Sequence, residues 1–206
     1  MDDTEVLDWI RQQASGACSI FSVCTGALLC GAAGLLKGRR ATTHWASFHL
    51  LPYFGAIPVN ERVVVDGAWV FAAGVTAGIA GALRLAAELR GDEAAQAIQL
   101  HMVYAPEPPF DSGTPETAPA AILEQARQSV RAITARREET ARRVALKLGI
   151  AIPPRTGFDL ASARPFGENR GRIGAYANGY APKQIATGSV KESAAMIPRQ
   201  HRNPGG

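Results

Sequence analysis

Cys24 is the residue best placed to do chemistry. It stands in Cys18-Ser-Ile-Phe-Ser-Val-Cys24-Thr-Gly-Ala-Leu-Leu, where an apolar strand pattern meets a helix pattern and one polar side chain falls at the join. A tight strand-to-helix turn lifts such a side chain clear of a sheet, and unpaired backbone N–H groups at a helix start favour a thiolate. Gly26, two positions on, lets the backbone turn that sharply. The chemistry this arrangement offers is nucleophilic attack by sulfur. A buried strand cysteine is the competing reading of the same few residues. Further on, Arg40-Ala-Thr-Thr-His44-Trp45 is brief and β-prone, and a lone histidine at such a strand end often is a structural residue with satisfied hydrogen bonds.

Other candidates are weaker. Cys18, Cys24 and Cys30 match no metal-ligand spacing, because zinc sites want pairs about two to four residues apart with further Cys or His partners. No metal is expected on that spacing. Three cysteines make an odd number, which argues against a disulfide framework and for a reducing, cytoplasmic setting. His49 and His101 read as surface or packing residues, Trp45 and Trp69 as core, and Asp66 as a turn residue. The arginines from Arg127 to Arg143 read as one solvated helix face.

The elements that must position Cys24 follow from periodicity. Glu5 to Ala14 is an amphipathic helix with Val6, Leu7 and Ile10 at helical spacing, closed by Ser15-Gly16. Ile20 to Val23 is a short buried strand, and Thr25 to Leu36 an Ala/Gly-rich helix ending at Lys37-Gly38. Ala46 to Phe54 predicts a short helix stopped by Gly55. Ile57 to Val65, the turn Asp66-Gly67 and Trp69 to Ala73 predict a hairpin. Thr76 to Arg90 is a long helix closed by Gly91, and Asp92 caps another running to about Tyr104. Prolines keep residues 105–117 irregular, and Ala118 to Leu148 is a long helix. Strands alternating with helices imply an α/β sheet that is partly parallel.

With 206 residues, 47% of them hydrophobic, the chain can bury an ordinary single core. Residues 1–150 form the expected domain, and 151–206, with eight glycines and six prolines, read as a disordered tail. The formal charge of +4 sits in that tail, which holds eight Lys/Arg against three Asp/Glu; residues 1–150 hold 14 against 15. The core is neutral, so nucleic acid is not an expected partner. The acidic N-terminus does not read as a signal peptide. No stretch reaches the roughly 18 apolar residues of a membrane span, so no membrane partner is expected either.

Taken together, Ser22-Val-Cys-Thr-Gly-Ala followed by Ala33-Gly-Leu-Leu-Lys-Gly-Arg-Arg-Ala-Thr-Thr-His-Trp45 resembles the DJ-1/PfpI superfamily of class I glutamine-amidotransferase-like proteins. Tyr104-Ala-Pro-Glu-Pro-Pro-Phe-Asp-Ser-Gly resembles its isocyanide hydratase branch. The resemblance spans roughly residues 5–148 and implies a flavodoxin-like sheet with helices on both faces and a nucleophile elbow at Cys24. It further implies Cys24 as nucleophile, Thr25 as donor of a backbone N–H and a hydroxyl near the sulfur, and His44 close by. The implied reaction is hydration of an isocyanide to an N-substituted formamide, on a small-molecule substrate and in a homodimer, with no cofactor.

The resemblance also implies strands ahead of the elbow and a carboxylic acid beside the cysteine. Asp2, Asp3, Glu5 and Asp8 all fall in the helix before the elbow strand, so none matches that acid. The expectation is therefore a partial fold, truncated at its N-terminus, with impaired turnover. Two other functions share the elbow: the ligand-binding module of an AraC-type transcriptional regulator, and a glyoxal- or thiol-handling DJ-1-like protein. The regulator would need a helix-turn-helix after the core, which the glycine- and proline-rich 151–206 does not resemble.

Overall fold

The structure is a computed structural model and describes residues 1–152. The expected tail, 151–206, lies almost wholly outside the described residues.

Two small sheets carry the architecture. β1 (Ile20–Val23), β4 (Val63–Asp66) and β5 (Trp69–Ala72) form the first, in the order β1-β5-β4. β1 runs parallel to β5, with Ile20 opposite Trp69 and Val23 opposite Ala72, while β4 and β5 form the antiparallel hairpin expected at Asp66-Gly67. β2 (Arg40–Ala41) and β3 (Ile57–Pro58) pair in parallel as a second sheet. The stretch expected as one strand, Ile57 to Val65, is thus two strands in two sheets. Pro58 explains the break, since it has no N–H to continue a ladder.

Helices cover both faces of the three-stranded sheet. On one side α3 (Val75–Arg90) lies so close that a methyl group at Gly81 would sit 2.8 Å from the Phe21 ring. On the other side are α1 (Thr4–Gly16), α2 (Gly26–Ala32), a 3₁₀ helix (Trp45–Phe54) and the long α5 (Ala120–Lys147). Between them lies the core, where Leu28, Leu36, Phe48, Leu51, Phe54, Phe71, Ala141 and Ala145 are almost fully buried. α4 (Asp92–His101) packs along α3.

Several elements differ from expectation, among them α4, which ends at His101 rather than at about Tyr104. α2 stops at Ala32 rather than Leu36, because Gly34 takes a left-handed turn at φ 79°. The amides of Gly34 and Leu35 then donate to the carbonyls of Gly31 and Cys30 at 2.8 and 3.0 Å, closing the helix end on itself. Residues 45–54 wind as a 3₁₀ helix; Pro52 lacks the N–H that an α-helical bond would require. Finally, Gly91 and not Asp92 precedes α4, and no side chain caps that helix. Trp69 is in the core as expected, whereas Trp45 is only half-buried.

Candidate active site

Cys24 follows directly on the paired end of β1. Its backbone is left-handed, at φ 56°, a conformation that costs an L-residue roughly 1–2 kcal/mol unless its surroundings impose it. The surroundings do impose it from two sides. The Cys24 N–H donates to the Ala72 carbonyl of β5 at 2.8 Å, extending the β1–β5 ladder by one bond. The Cys24 carbonyl accepts the Thr43 hydroxyl at 2.7 Å. Pinned on both sides, the residue is neither swallowed by the core nor fully exposed: it is half-buried, a free thiol at the strand-to-helix kink. The other two cysteines differ. Cys18 is exposed, and burial within α2 raises the Cys30 thiol above its usual range.

Thr25 occupies the position before α2, and its hydroxyl makes no capping bond to the helix. Among the described residues the Thr25 and Gly26 amides donate to no backbone or side-chain acceptor. The two N–H groups that follow Cys24 in the chain are thus unpaired at the start of α2, where the helix dipole favours negative charge.

His44 is brought to the same neighbourhood by Thr43, whose hydroxyl reaches the elbow. Its Nδ1 accepts the Ala46 N–H at 3.3 Å and starts the 3₁₀ helix, which leaves the ring proton on Nε2 when the imidazole is neutral. Burial, and secondarily the nearby Arg137 guanidinium, pushes the imidazole below its ordinary range and so favours that neutral form. No hydrogen bond joins His44 to the Cys24 sulfur among the described residues. No described carboxylate bonds that sulfur either. Asp2 instead pairs with Arg143 at 2.9 Å, Asp3 caps α1 through the Val6 amide, and Asp8 pairs with Arg11. No group of described residues has the make-up of a metal site.

Three participants were not read from the sequence. Thr43 is buried and ties the loop to the elbow; Ala72 supplies the second tie. Arg137 belongs to the face expected to be solvated, yet it is half-buried and donates to the buried Ser47 hydroxyl at 3.4 Å. Arg142 likewise pairs with Glu138 at 2.6 Å and lies over the Tyr53 ring, and its hydrogen bond, with its charge adding to it, holds the Glu138 carboxyl below the usual range. A cleft of about 370 Å³ opens between α2 and α5, lined by Thr25, Gly26, Leu28 and Leu29 on one wall and Ile133, Arg136, Arg137 and Thr140 on the other, with Met1 at its side.

Comparison with known proteins places this geometry. Residues 1–88 match the DJ-1/PfpI family model. The chain is 53% identical over 150 residues to the isonitrile hydratase of Pseudomonas putida, covering 73% of this chain and 66% of that protein. It superposes on the crystal structure of a ThiJ/PfpI family protein from Pseudomonas syringae with a TM-score of 0.63 at 42% identity, over 69% of this chain and 57% of that one. A shorter match, 32% identical over 92 residues, is to the HTH-type transcriptional regulator CdhR of Pseudomonas aeruginosa, covering 44% of this chain and 27% of the regulator. The chain thus spans 66% of the first relative's length and 57% of the solved structure's. The elbow at Cys24, the parallel β1–β5 pair beneath it, the helices on both faces and these matches agree: the chain belongs to the DJ-1/PfpI family.

Proposed function

We propose that this protein hydrates an isocyanide to an N-substituted formamide, with Cys24 as nucleophile. The observation that carries the reading is the left-handed Cys24 backbone, held between Ala72 and Thr43 at a kink that leaves the thiol half-exposed. The 53% identity to an isonitrile hydratase supports the substrate class. In this reading the sulfur, as thiolate, forms a C–S bond to the terminal isocyanide carbon. That carbon takes a proton, giving a thioimidate. Water then adds to the same carbon with one of its protons passing to nitrogen; the C–S bond breaks as the new hydroxyl gives up the other proton, replacing the one consumed in forming the thioimidate, and thiolate and formamide are released. One water is consumed, and it supplies the oxygen and both hydrogens of the product.

In the same reading the unpaired Thr25 and Gly26 amides stabilise the charge that develops during attack, and His44, carrying its proton on Nε2, handles the proton. The same proposal includes a small-molecule substrate and a homodimer, the latter checked by sedimentation. No helix among the described residues is long and apolar enough to cross a membrane. Incubating the protein with an alkyl isocyanide and following formamide by NMR tests the reaction. Formamide is expected from the wild type and none above background from Cys24→Ala. Turnover by the alanine variant would remove Cys24 from the chemistry. Absence of turnover in the wild type, with methylglyoxal consumed instead, would favour a glyoxal-handling protein.

A further inference from the structure

The cleft beside Thr25 and Gly26 has an uneven charge. Two arginines line it, Arg136 and Arg137, and no acidic residue does; the nearest recorded carboxylate, Asp2, accepts from the lining Thr140 hydroxyl at 3.1 Å and is paired with Arg143. Their neighbours on α5 are treated differently. One to two turns further along, Arg142 pairs with Glu138 at 2.6 Å and Arg143 with Asp2 at 2.9 Å. Arg137 has only the neutral Ser47 hydroxyl, at 3.4 Å, and Arg136 has no hydrogen-bond or ion-pair partner among the described residues. Two unneutralised cations on one wall of a cleft raise its affinity for an anion, and a guanidinium pair suits the planar, two-oxygen geometry of a carboxylate. The remaining lining is largely apolar, from Leu28, Leu29 and Ile133, which fits a short hydrocarbon spacer. At about 370 Å³ the cleft lies at the lower end of small-molecule sites.

We infer that Arg136 and Arg137 bind a carboxylate on the substrate, so that the preferred isocyanides are isocyano-carboxylic acids with a short carbon chain. This rests on the hydratase reading for the reacting end of the molecule, but the anion site can be tested without it. Thr25 and Gly26 supply the connection, since they line the cleft and follow Cys24 directly in the chain. A substrate carboxylate seated at the arginines would therefore direct the other end of the molecule toward the elbow.

The experiment compares isocyanoacetate with its methyl ester as substrates, and N-formylglycine with its methyl ester as ligands in calorimetry. For the wild type, kcat/KM is expected to be at least tenfold higher for the acid, with the advantage shrinking in 0.5 M salt. N-formylglycine is expected to bind at least tenfold more tightly than its ester. In the Arg136→Gln/Arg137→Gln double variant both ratios are expected to fall toward one. Equal or reversed preference in the wild type, with both isocyanides hydrated, would overturn the carboxylate site and leave the hydratase reading intact. Selective binding of N-formylglycine without hydration of either isocyanide would uphold the site and end the hydratase reading. Neither hydration nor selective binding would end both.

Discussion

Cys24 and Val103 are the two non-glycine residues with left-handed backbones among those described, at φ 56° and 52°, and the chain uses that conformation for opposite ends. Val103 follows α4. Its amide donates to the Leu100 carbonyl at 3.0 Å and the Tyr104 amide to Gln99 at 3.1 Å, a helix termination that glycine normally performs. The side chain is 84% exposed and packs on little. Cys24 also stands at a helix boundary, but at its start, with both backbone polar groups tied to other elements and the side chain half-buried. Val103 is a stop sign with an awkward residue on it. Cys24 is a residue whose awkward conformation is over-determined by its neighbours, and such positions collect at functional sites.

The same substitution separates the two. Cys24→Gly removes the strain together with the sulfur, so formamide production is expected to drop to background, a loss on the order of 10³-fold or more in a nucleophilic mechanism. Stability should hold, because glycine adopts this backbone freely. A Cys24→Gly protein that still turned over isocyanide would dissolve the contrast.

Removing one tie tests how the conformation is imposed. Thr43→Val keeps the β-branched shape but deletes the hydroxyl that donates to the Cys24 carbonyl at 2.7 Å. Leaving that acceptor without its partner at a site with Thr43 only 1% exposed is expected to cost about 1–3 kcal/mol, read from urea midpoints. Turnover should fall with it as the elbow relaxes. Unchanged stability and rate would mean that β5 alone holds Cys24.

The elbow was legible because its signal is local. An apolar run ending in Val23, a cysteine, and Gly26 in the next turn describe strand, kink and helix within seven residues, and the β1 bounds follow from them. Gly55 and the Asp66-Gly67 turn were legible for the same reason. What holds the elbow was not. Ala72 pairs with Val23 only because β5 lies beside β1, and an alanine advertises nothing about a carbonyl bond. Arg137 looked like one of many solvated arginines; no local pattern says which arginine on a long helix meets Ser47. The early end of α2 could have been read from Gly34, yet Gly38 competed as the stop, and the choice depends on where Leu35 and Leu36 pack.

At the other left-handed site the expected change has the opposite sign. Val103→Gly should relieve a conformation that costs a β-branched residue roughly 1–2 kcal/mol, against roughly 0.5–1 kcal/mol of added unfolded-chain entropy. The net is a stabilisation between zero and about 1.5 kcal/mol, seen as a small rise in urea midpoint, with no change in formamide production. Loss of stability would mean that the valine side chain makes contacts worth more than its strain.

Acid should expose the elbow side more gently still. His44 and His49 sit in or at the start of the 3₁₀ helix behind Cys24, and burial lowers both imidazoles, with Arg137 adding to the effect at His44 and Glu138 opposing it at His49. A histidine whose folded value lies below its unfolded value of about 6.5 binds protons more readily in the unfolded chain. Stability from these two is therefore full above about pH 6.5 and declines as the pH falls below it, ahead of any loss from the Asp2 and Glu138 carboxylates, whose lowered values act further toward acid. Urea midpoints at pH 7, 6 and 5 should fall in that order. His44→Asn keeps an acceptor for the Ala46 amide, since asparagine is a good residue at a helix start, and removes one titrating group. Its midpoint should fall less steeply over the same range, and an equal slope would place the acid sensitivity away from the elbow.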